Sequence, residues 1–260
     1  MALFGEERDR GLGEKWFGDR QHPVEVENHS SKLGVFHARA IVFDLDGVLV
    51  DTMPAISAAW AEWAGARGLP SDEVLSSLHL TATELIQKFA PELDPGVEAR
   101  AIAARQSMLE STVAAFPGSR ELIGRLPRDA WAIVTSARRE LAVHHLEMAQ
   151  LPPPEFLISA EDTPRGKPDP AGYRLAAERL DALAGECLAI EDSPAGIRAA
   201  RDAGMFVLGV TNTHAPAELR GAHAIIASLM RLDVSANPLQ DVRRVRVRWK
   251  DGIEDLQDPA

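Results

Sequence analysis

The chain has 260 residues, 45% of them hydrophobic, with 28 basic against 39 acidic residues and a formal net charge of −11. That length buries a sizeable core, as one domain with a substantial insertion or as two, and the acidic balance disfavours nucleic acid and anionic membrane surfaces as partners. No stretch approaches the roughly 20 apolar residues that span a bilayer, and the first 22 residues carry charges where a leader would be apolar, so a cytoplasmic protein is expected.

Residues 1–38 mix charges, glycines and polar residues without a sustained period and read as a poorly ordered or peripheral extension. Ala40-Ile41-Val42-Phe43 is a short apolar strand running into the turn Asp44-Leu45-Asp46-Gly47. Residues 54–115 are alanine-rich, with Ala55, Ile56, Ala59, Trp60 and Trp63 at helical spacing, and are expected to form an all-helical cap whose own core holds Trp60 and Trp63. Pro117-Gly118 closes that segment.

Helices are then expected over 119–126, 138–149, 170–183 and 194–203, alternating with apolar strands near 130–134, 156–158, 188–190 and 206–210. This alternation predicts an α/β fold, a Rossmann-like, mostly parallel sheet core over 39–53 and 116–240, with the cap inserted after its first strand. Tyr173 is expected against the sheet, and the single cysteine, Cys187, as a packed thiol in a strand. Residues 241–260 form a tail in which arginine alternates with valine between Val242 and Trp249, a possible edge strand.

Four polar clusters follow the carboxyl ends of separate strands: Asp44/Asp46, Thr135/Ser136, Lys167 and Glu191/Asp192. Parallel sheets bind ligands outside those ends, so the clusters are expected to converge. Asp44 and Asp46, two apart in an extended segment, can face the same way. A carboxylate at Asp44 can attack phosphorus and carry it covalently. Asp46 then has to serve as acid and base, which calls for a carboxyl held partly protonated by neighbouring negative charge. Asp44, the Asp46 carbonyl and Asp192, with Glu191 nearby, offer the oxygens that Mg2+ prefers. Lys167 supplies a fixed positive charge to a phosphoryl group, and Thr135 and Ser136 supply donors at a helix start.

Phe43-Asp44-Leu45-Asp46-Gly47-Val48-Leu49-Val50-Asp51-Thr52, Val134-Thr135-Ser136, Gly166-Lys167-Pro168-Asp169-Pro170 and Ile190-Glu191-Asp192-Ser193-Pro194-Ala195-Gly196-Ile197 resemble, in order, the four signature motifs of the haloacid dehalogenase superfamily. The resemblance covers about residues 38–230 and is to the branch with a helical cap, which includes β-phosphoglucomutase and the small sugar-phosphate and glycerol-phosphate phosphatases. It implies Asp44 as nucleophile, Asp46 as acid/base, Thr135 and Lys167 as phosphate contacts, and Asp192 with Asp44 as magnesium ligands. Asp46 argues against the dehalogenases, which lack a second aspartate because halide leaves without a proton.

In the cap, His79, Thr81, Thr83 and Glu84 lie at a loop-to-helix junction, and His79, Thr81 and Glu84 are the expected substrate contacts. Similar sugar phosphatases read approximately His-Gly-Arg there, whereas this chain has His79-Leu80-Thr81 and lacks the arginine. The leading expectation is a Mg2+-dependent phosphatase, monomeric or dimeric, acting on a small phosphorylated metabolite. The alternatives are a phosphomutase, or a regulatory scaffold whose extension and arginine-rich tail bind a partner.

Overall fold

The structure, a computed structural model, describes residues 25–27, 33–109, 113–236 and 245–250. In chain order the strands and helices are β1 (Glu25–Glu27), β2 (Leu33–Ala38), β3 (Ala40–Phe43), β4 (Val50–Asp51), α1 (Met53–Gly65), α2 (Ser71–Ser76), α3 (Ala82–Phe89), α4 (Pro95–Leu109), β5 (Ala114–Ala115), α5 (Ser119–Gly124), β6 (Trp131–Val134), α6 (Arg139–Met148), β7 (Phe156–Ile158), α7 (Ala171–Arg179), β8 (Cys187–Glu191), α8 (Pro194–Asp202), β9 (Phe206–Val210), β10 (Ala224–Ile226), β11 (Leu232–Ala236) and β12 (Val245–Lys250).

Six of these strands form a parallel sheet in the order β10-β9-β8-β3-β6-β7, the α/β class that the alternation predicts. Strands β3, β6, β8 and β9 are buried throughout, as apolar runs covered on both faces must be. The chain leaves β3 toward β6 and β7, then crosses back to place β8 on the other side of β3. The reversal between β3 and β8 is where such sheets open a crevice, and it brings Asp44 beside Glu191 and Asp192.

Helices α1 to α4 pack around a separate apolar core. Trp60 and Trp63 are both buried in it, their rings edge-on with centroids 5.3 Å apart. Where the chain enters and leaves this helical unit, β4 pairs antiparallel with β5, so the two connections run side by side. The thiol of Cys187 is buried in β8, its pKa pushed up to about 12 by burial and then by the Glu186 charge.

The two ends of the chain depart from expectation. Leu33–Ala38, read as irregular extension, is a strand of a second, antiparallel sheet ordered β1-β2-β12-β11. The arginine–valine strand β12 is accordingly not an edge: it lies between β2 and β11. Its Val245, Val247 and Trp249 face inward, and Phe36 of β2 stacks on Phe206 of the parallel sheet at 4.7 Å. Gly34 hid the signal, because a glycine weakens a strand pattern. Here a Cβ would come within 2.0 Å of the Trp249 ring, so only glycine admits the indole. The extension before Glu25 and the tail beyond Lys250 lie outside the described residues.

Candidate active site

Each strand tip delivers its group for a local reason. After β3, Asp44 donates its backbone N–H to the Ile190 carbonyl (3.0 Å), which extends the ladder by one residue and points the carboxylate toward β8. The next turn needs Gly47, with φ +89°; a Cβ there would come within 2.2 Å of the Asp192 carboxylate. After β8, Ser193 caps α8 and Pro194 opens it. Gly196 keeps the first turn of α8 clear of Glu191, whose carboxylate a Cβ would meet at 1.9 Å.

The groups converge. Lys167 Nζ lies 2.5 Å from Asp44 Oδ1 and 2.6 Å from Glu191 Oε1, all three residues buried. Tyr173 donates its hydroxyl to Glu191 Oε1 at 2.5 Å, while Glu191 Oε2 accepts from the backbone of Asp192 and from Ser193. Glu191 is therefore an anchor whose two oxygens are both engaged. Asp192 is held by Thr213, which follows β9, and Asn212 donates to the Gly47 carbonyl at 2.8 Å.

Asp44, Glu191 and Asp192 each present an oxygen within 4.8 Å of the others. Burial drives the Asp44 carboxyl well above its ordinary value, Lys167 opposing and Glu191, Asp192 and Asp46 reinforcing the rise. Burial, then the Glu191 charge, lifts Asp192 to about 7. Burial works against the charge on Lys167, but Asp44 and Glu191 outweigh it and hold the ammonium charged. Among the described residues three buried carboxylates meet one ammonium, and their hard oxygens fit a divalent cation.

Asp46 stands apart from that cluster. Its Oδ1 accepts from Thr52 Oγ1 at 2.6 Å and from His145 Nδ1 at 3.0 Å, and its Oδ2 accepts from Thr135 Oγ1 at 3.2 Å. Burial pushes its carboxyl up, but His145, with the hydrogen bonds of His145, Thr52 and Thr135, outweighs that and leaves it below its ordinary value. This corrects the expectation of a carboxyl kept partly protonated: the resting group is held ionised by donors on every side.

Thr135 and Ser136 both have partners within the protein. Each hydroxyl has one proton; Thr135 gives its proton to Asp46 and Ser136 gives its own to the His79 carbonyl at 3.0 Å.

Above the strand tips lies a cavity of about 660 Å³, reaching Asp44, Asp46, Lys167 and Asp192 on one side and Met53, Ile56 and Trp60 on the other. His79 lines it, and burial lowers the pKa of its ring. Thr81 and Glu84 lie beside it, next to the lining residues Leu80 and Ala82. They form the capping box of α3, and the Glu84 carboxylate also accepts from the backbone N–H of Gly166 at 3.1 Å. Glu84 thus ties the helical unit to the residue before Lys167. A second cavity, of about 750 Å³ beside α5 and β11, contains none of the strand-tip groups.

Thr52, His145, Tyr173 and Thr213 were not assigned to the site from the sequence. Thr213 was findable, since it follows the carboxyl end of β9 just as the four clusters follow theirs. Tyr173 was placed against the sheet but not on Glu191, and His145 carries no local signal at all.

The family model for haloacid dehalogenase-like hydrolases matches residues 38–204. Hexitol phosphatase A of Escherichia coli is 33% identical over 210 residues, covering 78% of this chain and 97% of that protein. The 2-deoxyglucose-6-phosphate phosphatase 2 of Saccharomyces cerevisiae is 30% identical over 227 residues, covering 78% and 92%. The crystal structure of a hydrolase from Pseudomonas syringae superposes with a TM-score of 0.67 at 26% identity, covering 74% of this chain and 94% of that one.

Proposed function

The chain belongs to the haloacid dehalogenase-like hydrolases, and we propose that it is a phosphatase that frees inorganic phosphate from a small sugar-phosphate or glycerol-phosphate ester through an aspartyl-phosphate on Asp44. The observation that carries this reading is the buried Asp44–Lys167–Glu191 bridge beside Asp192, with Asp46 separately lining the same cavity. Its relatives' names, among them hexitol and 2-deoxyglucose-6-phosphate phosphatases, indicate the ester class.

In the first half-reaction an Asp44 oxygen forms a bond to phosphorus while the bond from phosphorus to the ester oxygen breaks. The departing oxygen takes the proton of Asp46 and leaves as an alcohol. Asp46 rests ionised, but a phosphoryl dianion at close range raises its proton affinity, so substrate itself supplies the negative neighbour that an acid at this position requires. In the second half, Asp46 takes a proton from water, the water oxygen bonds to phosphorus, and Asp44 is released with inorganic phosphate.

Lys167 has three N–H donors, two of them committed to Asp44 and Glu191, which leaves one to hold a phosphoryl oxygen. Thr135 and Ser136 follow as phosphate contacts once they turn their protons from Asp46 and His79. Asp44, Asp192 and the Asp46 carbonyl would hold Mg2+, with Glu191 behind them. Bound there, the cation offsets negative charge on the phosphoryl group. Nothing in this reading calls for nucleic acid or a membrane; no described helix is long and apolar enough to cross one. Cytoplasmic residence accords with it.

The phosphomutase reading has the same residues available, but the curated relatives reported above are hydrolases. The test is a panel of about fifty phosphorylated metabolites assayed for phosphate release, with Mg2+ and with excess chelator. Release from sugar or polyol phosphates that stops in chelator is expected. No release from any ester by folded protein would remove the phosphatase reading, and undiminished release in chelator would remove the metal.

A further inference from the structure

We propose that His145 is a positioning residue for proton transfer: with Thr52 it occupies Oδ1 of Asp46 and so leaves Oδ2 as the oxygen that carries the proton to the leaving group. The inference rests on the phosphatase reading above and concerns a residue outside its four motifs.

His145 lies in α6 on the stripe that faces inward, with Leu141, Ala142 and Leu146 as its buried neighbours on that helix. The other three are apolar. His145 is fully buried, at 0% exposure, where an imidazole costs free energy unless its ring nitrogens are bonded. Its Nδ1 meets Asp46 Oδ1 at 3.0 Å. Because a carboxylate oxygen only accepts, the ring is the donor, and the tautomer or charge state with Nδ1–H is fixed by its partner.

The two oxygens of Asp46 are thereby made unequal. Oδ1 takes two donors, one of them at 2.6 Å from Thr52. Among the described residues Oδ2 takes one, the longer bond of 3.2 Å from Thr135, the same hydroxyl that the phosphatase reading turns to a phosphoryl oxygen. An oxygen already receiving two hydrogen bonds is a poor place for a proton, and one whose single donor can turn away is a good one. His145 also pins the carboxyl plane from the side of α6, a rigid element, while Thr52 pins it from the residue before α1. Orientation of this kind is worth most where a proton must move in the transition state.

A purely structural histidine predicts something different from a positioning one, and the leaving group separates them. An alkyl ester such as glycerol 1-phosphate or a hexose 6-phosphate expels a basic alkoxide and needs the proton. p-Nitrophenyl phosphate expels a stable phenolate and does not. His145→Phe keeps the ring volume and removes the donor. With Mg2+ present, its kcat on the alkyl esters is expected to fall on the order of 100-fold, with KM changed less than about threefold and kcat on p-nitrophenyl phosphate lowered no more than about threefold.

His145→Asn places an amide N–H near the position of Nδ1 and is expected to restore alkyl-ester turnover to within about fivefold of the parent. His145→Gln places its amide near Nε2 instead and is expected to behave like the phenylalanine variant. The Asn and Gln pair keeps the comparison readable should His145→Phe not fold. Equal losses on both ester types, or no loss on the alkyl esters, overturn the positioning role and leave the phosphatase reading standing. A folded parent enzyme that releases phosphate from no ester of the panel overturns the two together.

Discussion

The strand tips of the core and the helical unit face each other across one cavity, yet they are built on opposite chemistry. On the core side Lys167 is clamped between Asp44 and Glu191 at 2.5 and 2.6 Å, Tyr173 and the start of α8 secure Glu191, and Thr213 secures Asp192. On the helical side Met53, Ile56, Trp60 and Leu75 present an apolar wall, and among the described residues the helical unit is tied to the core by hydrogen bonds from Ser136 to His79 and from Gly166 to Glu84. Charged groups that act on phosphorus must be fixed by other polar groups, each placed by a strand end. A wall that selects by volume and excludes water needs only closure. On the proposed reading, chemistry belongs to one side and selection to the other.

The sharpest test of that contrast is Asp44→Asn. Loss of the proposed nucleophile is expected to reduce turnover on the order of 10⁴-fold or more, by the same factor for every ester, as measured by phosphate release at saturating substrate. A residual rate that differed between esters would blur the division. Next comes Lys167→Met, which keeps the stem and removes the charge from between two carboxylates. Turnover is expected to fall on the order of 10²- to 10³-fold, again with one factor across the panel.

Glu84→Ala probes the other side. It removes the closure contact to Gly166 and the capping box of α3, and a charge-assisted hydrogen bond contributes roughly 1.5–3 kcal/mol. Here the expected loss in kcat/KM is about tenfold and unequal among esters, largest for those that rely most on the closed cavity. A uniform loss would move Glu84 to the chemical side of the comparison.

The smallest effect lies outside both. Asp162 accepts from the backbone and hydroxyl of Ser159, each at 2.8 Å, and pairs with Arg139 at the start of α6. Burial raises its carboxyl, but those Ser159 bonds and Arg139 bring it below its ordinary value of 3.8. A carboxyl depressed on folding stabilises the native state fully above 3.8, and that contribution disappears as pH falls through the lower folded value. Asp162→Asn is therefore expected to lower stability by about 0.5 kcal/mol at neutral pH, a small figure because the pair is partly solvated. The melting difference from the parent should close in strong acid, while turnover at pH 7 stays level. A difference that widened on acidification would contradict the assignment.

The legible residues were those announced by a change of period. Ala40-Ile41-Val42-Phe43 and Cys187-Leu188-Ala189-Ile190 are apolar runs that stop at acidic residues, so both the strands and the chemistry at their ends could be read together. Thr213 obeys the same rule after Phe206–Val210 and went unassigned because a threonine after a strand is also a common loop residue. Thr81 and Glu84 spell a capping box, threonine followed three residues later by glutamate, and the structure forms it. His145 was out of reach: its helix brings it back onto Asp46, and nothing adjacent in the chain distinguishes it from a packing residue. Nor could the local charge balance show that Asp46 rests ionised, since its donors come from α6, from Thr52 and from the tip of β6.

The antiparallel sheet has a consequence for how the molecule assembles. In it Leu33 pairs with Lys250 and Ala38 with Val245, so the strands that cover Phe206 come from opposite ends of the chain. Contacts so distant in sequence bear a large loop-closure entropy before they return any energy, and they form slowly. The parallel sheet and its strand-tip site are thus expected to organise first, with β2 and β12 closing over them afterwards. Under stress the order reverses: amides of β12 should exchange with solvent ahead of those of β3 and β8, and a protease would find the seam between the two ends before it found the catalytic core.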